Sequence, residues 1–475
     1  MSQNLSIRLR PILAAVVGAA AIAASMLSTT AGADGTVPHV IVISIDGMKP
    51  ETYTEPDLAY VPTLQRLAAQ GVFASGVVGV LPTLTFPSHT TLITGVPPAV
   101  HGIYNNRILD PENRWYGAWY WYARDVKVRT LTEAVRARGL TTAAVSWPAS
   151  VGLDVDFLVP EFSPQSLAQL RPLSRPATLL DEVEAARGHM LPWPLTDSAR
   201  AEIAAWVFRA HRPNLMLLHL VDTDTAQHDH GPRSPAALAS MAAADRHVAT
   251  VLDAVDAAGL RAETDIVIVS DHGFVPAGKR LELNTLFKDE GWLQVDEQGR
   301  VTHWEVYFQA SGGSGFVFLK NPDDAKIRKR VRTILDAVAS DPANGVERVL
   351  SSDDLHALGA DPRASFAVDM RSGFYAGGGS NALIVQANGR GGHGNDPSRP
   401  DLHASLIMAG PLVPRSGDLG IVRMTQIAPT VAAWFGVRLS RKADEPLALT
   451  PIAAALTPAG AKKRGTQMAP EKEKE

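Results

Sequence analysis

Five places in the chain set metal-binding or nucleophilic side chains beside glycine or at the end of an apolar run. One is Leu81-Pro82-Thr83-Leu84-Thr85-Phe86-Pro87-Ser88-His89-Thr90-Thr91-Leu92. Proline has no N–H to lose in the first turn of a helix, so Pro87 predicts a helix start with Thr85 just before it. Backbone N–H groups at such a start have no partner within the helix and suit an anion such as a phosphoryl group. Thr85 is then an N-cap or, beside metal ligands, a nucleophile. The other four places supply such ligands: Asp46 before Gly47, Asp224 with His228, the pair Asp271-His272 before Gly273, and His393 between Gly392 and Gly394. Asp224 and His228 belong either to a solvated acidic loop or, four residues apart, to one face of a helical turn.

The elements that must hold these groups are legible as apolar runs. His39-Val40-Ile41-Val42-Ile43-Ser44-Ile45, Leu215-Met216-Leu217-Leu218-His219-Leu220 and Asp265-Ile266-Val267-Ile268-Val269 read as strands buried on both faces of a parallel sheet. Open α/β sheets bind ligands beyond the carboxyl ends of their strands, which is where Asp46, Asp224 and Asp271 fall. Helices are predicted over 62–71 with Gly71 as C-cap, and over 130–139, 198–210, 234–258, 323–340 and 423–436. Further strands are predicted at 141–147, 304–308, 315–319, 381–385 (where the core resumes) and 402–409. The proline-rich residues 158–194 read as an irregular surface excursion. Trp115 to Tyr122 is crowded with aromatic rings, either core packing or a stacking wall for a planar leaving group.

The 475 residues are 45% hydrophobic and include no cysteine. A metal must therefore be held by imidazole, carboxylate or hydroxyl oxygen, without thiolate. Residues 1–33 have the form of a secretory signal: Arg8 and Arg10, an apolar stretch from Ile12 to Leu27, and Ala31-Gly32-Ala33. Its removal takes the formal charge from −4 to −6, a mildly acidic balance that gives no reason to expect a duplex nucleic-acid binder. The expected organisation is a signal at 1–33, a catalytic core at 34–278 and 376–457, an inserted α+β cap at 279–375, and a charged, disordered tail at 458–475. No transmembrane segment is expected after signal cleavage, and the expected location is periplasmic or secreted. Oligomeric state has no signal in the sequence.

Taken in order, Ile45-Asp46-Gly47-Met48, Pro82-Thr83-Leu84-Thr85-Phe86-Pro87-Ser88-His89, His101-Gly102-Ile103 with Asn106, Asp224-x-x-x-His228-x-x-Gly231-Pro232, Ser270-Asp271-His272-Gly273 and Gly392-His393-Gly394 resemble the type I phosphodiesterase/nucleotide pyrophosphatase family of the alkaline phosphatase superfamily. The resemblance implies an alkaline-phosphatase-like α/β core, a mostly parallel sheet flanked by helices. It implies two zinc ions, one on Asp46, Thr85, Asp271 and His272 and the other on Asp224, His228 and His393. Asn106 would bind the phosphoryl group, helped by the backbone N–H near Phe86. The implied reaction is hydrolysis of phosphodiester or pyrophosphate bonds in small nucleotide-like substrates through a phosphothreonine (or nucleotidyl-threonine) at Thr85. A phosphomonoesterase or phosphonate hydrolase of the same superfamily, and a non-catalytic phosphate-ester binder, are the alternatives. Ser88 stands where an asparagine is usual, and Val221-Asp222-Thr223 where Glu-Pro is common. Neither change removes a ligand.

Overall fold

The computed structural model describes residues 37–449 apart from 116–117, 164 and 414–415. The expected signal at 1–33 and the tail at 458–475 lie outside the described residues. An eight-stranded sheet forms the centre, in the spatial order Gly417–Asp418, Val72–Phe73, Leu406–Ala409, Thr264–Val269, His39–Ile45, Leu215–Leu220, Thr142–Val145, Phe157–Val159. The five strands from Thr264–Val269 to Phe157–Val159 are parallel throughout, and Leu406–Ala409 runs antiparallel to both its neighbours.

Both faces of this sheet are covered, which is why its central strands read as unbroken apolar runs. Ile41, Ile43 and Ile45 enter one apolar cluster while Val40 and Val42 enter the other. Met216 and Leu218 alternate with Leu215 and Leu217 in the same way. Helices Pro62–Gln70, Leu179–Arg187, Asp197–His211 and Pro235–Ala257 line the first face; Thr85–Thr94, Leu131–Arg136 and Ile427–Trp434 line the second. Among the described residues, no helix is long and apolar enough to cross a membrane.

A separate four-stranded antiparallel sheet is ordered Val306–Ser311, Ser314–Leu319, Phe366–Met370, Val346–Ser351 and packs against helix Ala325–Ser340. Two expectations need correction here. The run at 381–385 does not return to the central sheet: Ile384–Gln386 pairs with Val275–Leu281 in a small sheet of its own. Residues 158–194 are not irregular, since they carry helices Leu167–Leu170 and Leu179–Arg187. Gly71 caps its helix as expected, in an extended conformation, φ −127°. A β-carbon there would lie 2.0 Å from the Met408 carbonyl oxygen, so glycine is needed for close approach to the sheet and not for a left-handed cap.

Candidate active site

The parallel register aligns strand ends side by side: Ser44 pairs with Val269 and Ile45 with Leu220. Asp46 and Asp271 therefore leave adjacent strands at the same level. Gly47 turns at φ +67° and donates its N–H to Asp271 Oδ1 at 3.0 Å. The Asp/His cluster after Leu220 folds as helix Asp222–His230, which puts Asp224 and His228 on one face. Thr223 Oγ1 and Gln227 Nε2 donate to the carbonyls of Asp46 and Gly47, at 2.5 and 3.0 Å, and dock that helix on the first ligand loop. At its start, both carboxylate oxygens of Asp197 accept backbone N–H groups, from Val221 and Asp222, at 2.8 Å each.

Two groups of ligand atoms result. In the first, His272 Nε2 lies 3.4 Å from Asp46 Oδ1 and 3.1 Å from Asp271 Oδ2. In the second, His228 Nε2 and His393 Nε2 lie 3.3 and 3.4 Å from Asp224 Oδ1 and 3.2 Å from each other. His272 also comes within 4.8 Å of Asp224 and His393, and its ring stacks on His393 at 3.5 Å, so the groups adjoin.

The donor chemistry fits a cation. Nδ1 of His228, His393 and His272 donates to the carbonyls of Gly391, Thr83 and Gly273 at 3.0, 2.9 and 3.2 Å. Each Nε2 then presents a lone pair, the arrangement a ligating histidine needs. Asp46 Oδ1, Asp224 Oδ1, Asp271 Oδ2 and His272 Nε2 are buried with no hydrogen-bond partner. A tetrahedral ion with bonds of about 2.0–2.1 Å would space its ligands by about 3.3 Å, which matches these separations.

Burial, then the facing carboxylates of Asp271 and Asp224, pushes Asp46 well above the usual carboxylate range. Burial, then the nearby His272, takes His393 down to about 4, so it is neutral and able to ligate at pH 7. His228, with 41% of its side chain exposed, marks the side on which the cluster opens.

Thr85 is the first residue of helix Thr85–Thr94, with Leu84 as N-cap, so the helix begins one residue earlier than expected and Pro87 falls in its first turn. Thr83 holds His393, and His89 Nδ1 reaches both the Thr85 carbonyl (2.8 Å) and Asp271 Oδ2 (3.6 Å). Thr85 is thus bracketed by contacts to both ligand groups.

Phe86 departs from expectation. Its N–H donates to Asn106 Oδ1 at 2.9 Å, and its ring is 2% exposed beneath Trp119 and Trp121. That bond fixes the Asn106 carboxamide, and no described residue accepts from its Nδ2. The two indoles stack on each other at 5.4 Å, Arg107 covers Trp119, and Phe162 packs edgewise on Trp121. Trp119 and Trp121 thus pack on each other and on Phe86, while Trp115 is exposed.

A family model described as type I phosphodiesterase / nucleotide pyrophosphatase matches residues 40–374, more than half of the chain. The chain belongs to this family. Among curated family members, ectonucleotide pyrophosphatase/phosphodiesterase family member 1 of Mus musculus is 23% identical over 247 residues, 50% of this chain and 24% of that protein. Human family member 5 is 25% identical over 284 residues, 58% of this chain and 54% of that protein. The chain thus spans about a quarter of the first relative's length and about half of the second's. The solved structure of murine ectonucleotide pyrophosphatase/phosphodiesterase 5, an inactive variant in complex with AMP, aligns with a TM-score of 0.61 at 18% identity, covering 85% of this chain and 96% of that one. That likeness shows the shared alkaline-phosphatase-like fold.

Around these family motifs lie residues that sequence reasoning gave no role. His219 spans from the Ser146 carbonyl (3.2 Å) to Asp46 Oδ2 (3.1 Å). Its signal was a histidine inside an otherwise apolar strand. His89 accepts from Ser44 Oγ at 2.9 Å and ties the Thr85 helix to the Asp46 strand. Asp197, 25 residues before the backbone it caps, had no local signal.

Proposed function

We propose that this chain hydrolyses phosphodiester or pyrophosphate bonds in nucleotide-like substrates, with Thr85 as nucleophile. The observation that carries the reading is two adjoining Asp/His groups, four of whose atoms (Asp46 Oδ1, Asp271 Oδ2, His272 Nε2 and Asp224 Oδ1) are buried without a hydrogen-bond partner, next to a helix start that bears a threonine. Two zinc ions would be held, one by Asp46, Thr85, Asp271 and His272 and one by Asp224, His228 and His393; when bound they supply Lewis acidity, lowering the pKa of a hydroxyl and offsetting charge on phosphoryl oxygens. The Thr85 oxygen attacks phosphorus as the bond to the leaving oxygen breaks, and the hydroxyl proton passes to solvent water. The Asn106 Nδ2 amide donates to a non-bridging oxygen as charge shifts onto it. Water then cleaves the phosphothreonine ester and returns Thr85 to its free form.

Among the described residues, no lysine or arginine pairs with Asp46, Asp224 or Asp271, whose only ionic partners are histidines. A monoester dianion asks for more positive charge than this, so diesters are the favoured substrates. Residues 279–375 form an inserted α+β subdomain in this reading, and the protein acts in the periplasm or outside the cell. Purified zinc-loaded protein is expected to release nitrophenol from the p-nitrophenyl ester of thymidine monophosphate much faster than from p-nitrophenyl phosphate. The reverse preference overturns the diesterase reading in favour of a monoesterase.

A further inference from the structure

The antiparallel hairpin Val306–Ser311/Ser314–Leu319 turns through Gly312 and Gly313, and its tip is buried against two motifs distant in sequence. On one side it grips the loop of His393. Gly313 N–H donates to the His393 carbonyl at 2.5 Å, Ser314 Oγ donates to the Gly394 carbonyl at 2.6 Å, and Asn395 Nδ2 donates to the Gly313 carbonyl at 2.9 Å. The approach is close: a β-carbon on Gly312 would stand 2.1 Å from the His393 carbonyl oxygen, and one on Gly394 2.0 Å from that of Ser311.

On the other side the tip holds the Asn106 segment. Asn105 Nδ2 donates to Ser311 Oγ at 2.6 Å, and Asn105 Oδ1 accepts the N–H of Asn106 at 2.7 Å. Asn105 is 6% and Ser311 2% exposed, so the bond between them is shielded from solvent. Two residues earlier on the same strand, Gln309 Nε2 donates to the Arg107 carbonyl at 3.1 Å.

We infer that Ser311 is a positioning residue: through Asn105 it sets the Asn106 carboxamide, and the hairpin that carries it holds Asn106 and His393 in one fixed relation. The insert is then a working part of the active site as well as a cover. This rests on the reading of Asn106 as the phosphoryl-binding amide. A displacement of that amide by a fraction of an ångström removes its alignment with the developing charge and leaves the ligand atoms in place.

The test is a double-mutant cycle on the zinc-loaded full chain, with Ser311→Ala, Asn106→Ala and the pair. Hydrolysis of the p-nitrophenyl ester of thymidine monophosphate is measured together with zinc per chain and Tm. Ser311→Ala is expected to lower kcat by about ten- to a hundredfold. KM and zinc content should stay near their starting values. In the Asn106→Ala background it should cost nothing further, which a general loss of stability would not reproduce. Asn105→Ala, which leaves the hairpin intact, runs through the same cycle should Ser311→Ala fold poorly. Additive losses, or full activity in Ser311→Ala beside a crippled Asn106→Ala, overturn this inference and leave the proposed function standing. An unimpaired Asn106→Ala overturns the Asn106 reading itself and the inference with it.

Discussion

Replacing Asp197 by alanine should weaken one metal site of the pair and spare the other. Asp197 is 1% exposed, and its two oxygens accept the Val221 and Asp222 N–H groups at the start of the helix that bears Asp224 and His228. Arg200 Nη1 donates to the same carboxylate at 2.9 Å. Hydrogen bonds to a charged group contribute about 1.5–3 kcal/mol each, and truncation leaves buried donors unpaired. Water entering the gap recovers part of this, so the net loss should be about 3 kcal/mol of unfolding free energy in urea. The ligand consequence follows from the geometry. Freed at its start, the helix keeps its Thr223 and Gln227 contacts to Asp46 and Gly47 but loses the clamp that orients Asp224. Loss of an outer-shell partner typically costs about 10–100-fold in metal affinity. Competition between the protein and a chromophoric zinc chelator should therefore resolve one unchanged and one weakened zinc in Asp197→Ala. Asp197→Asn, which retains one acceptor, should fall between. Two zincs bound as tightly as before, with only the urea midpoint lowered, would refute the reasoning by showing that the cap and the ligands are independent.

Two further perturbations address separate parts of the molecule. Thr85→Ala removes the attacking oxygen, so turnover of the thymidine ester should fall by more than the roughly 10²–10³ typical of losing a single stabilising donor; a smaller loss in steady-state assays argues against covalent attack by this residue. Asp265, buried in the strand Thr264–Val269 with Oδ1 accepting from Leu412 N–H, has its pKa pushed by burial to about 7. Its folded value lies above the ordinary value of about 3.9, so the folded state holds the extra proton and stability falls as pH rises from about 4 to 7. Asp265→Asn should thus be more stable than the parent at pH 8, by an upper bound of about 4 kcal/mol, and indistinguishable from it near pH 4. Urea unfolding at the two pH values checks the sign.

How far the sequence disclosed this arrangement depended on whether the controlling contact was local. The central strands were legible because burial on both faces leaves no room for polar alternation. The candidate ligands drew notice by position: Asp46 directly follows such a run, Asp271 lies two residues past one, Asp224 and His228 lie on the helix after Leu220, and His393 sits between glycines. The start of the Thr85 helix was legible to within a residue from Pro87, but the group that satisfies the Phe86 N–H, Asn106, lies 20 residues on and was not. The apolar run at 381–385 resembles a core strand by composition, yet its partner is Val275–Leu281, and composition cannot name a partner. Helix Leu179–Arg187 was hidden by neighbouring prolines. It is secured by Arg171 Nη2 donating to Glu184 Oε2 at 2.5 Å and by Leu191 N–H donating to Glu184 Oε1 at 2.8 Å, both outside a local window.

The same distinction explains why the ligand set is coherent. The carbonyl that orients His228 belongs to Gly391, two residues before His393, and the one that orients His393 belongs to Thr83, two residues before Thr85. The N–H that fixes Asp271 comes from Gly47, beside Asp46, and the helix bearing Asp224 is docked on the Asp46 and Gly47 carbonyls. Three of the motifs thus supply a backbone group that orients a side chain of another, while His272 is held by its own neighbour Gly273. A motif read alone shows a residue type able to bind a metal. For His228, His393 and Asp271 the orientation is a property of pairs of motifs and exists only in the folded chain. Disturbing a backbone carbonyl in one motif should therefore misdirect a ligand in the next, which makes these glycine-flanked turns as exacting as the ligands they orient.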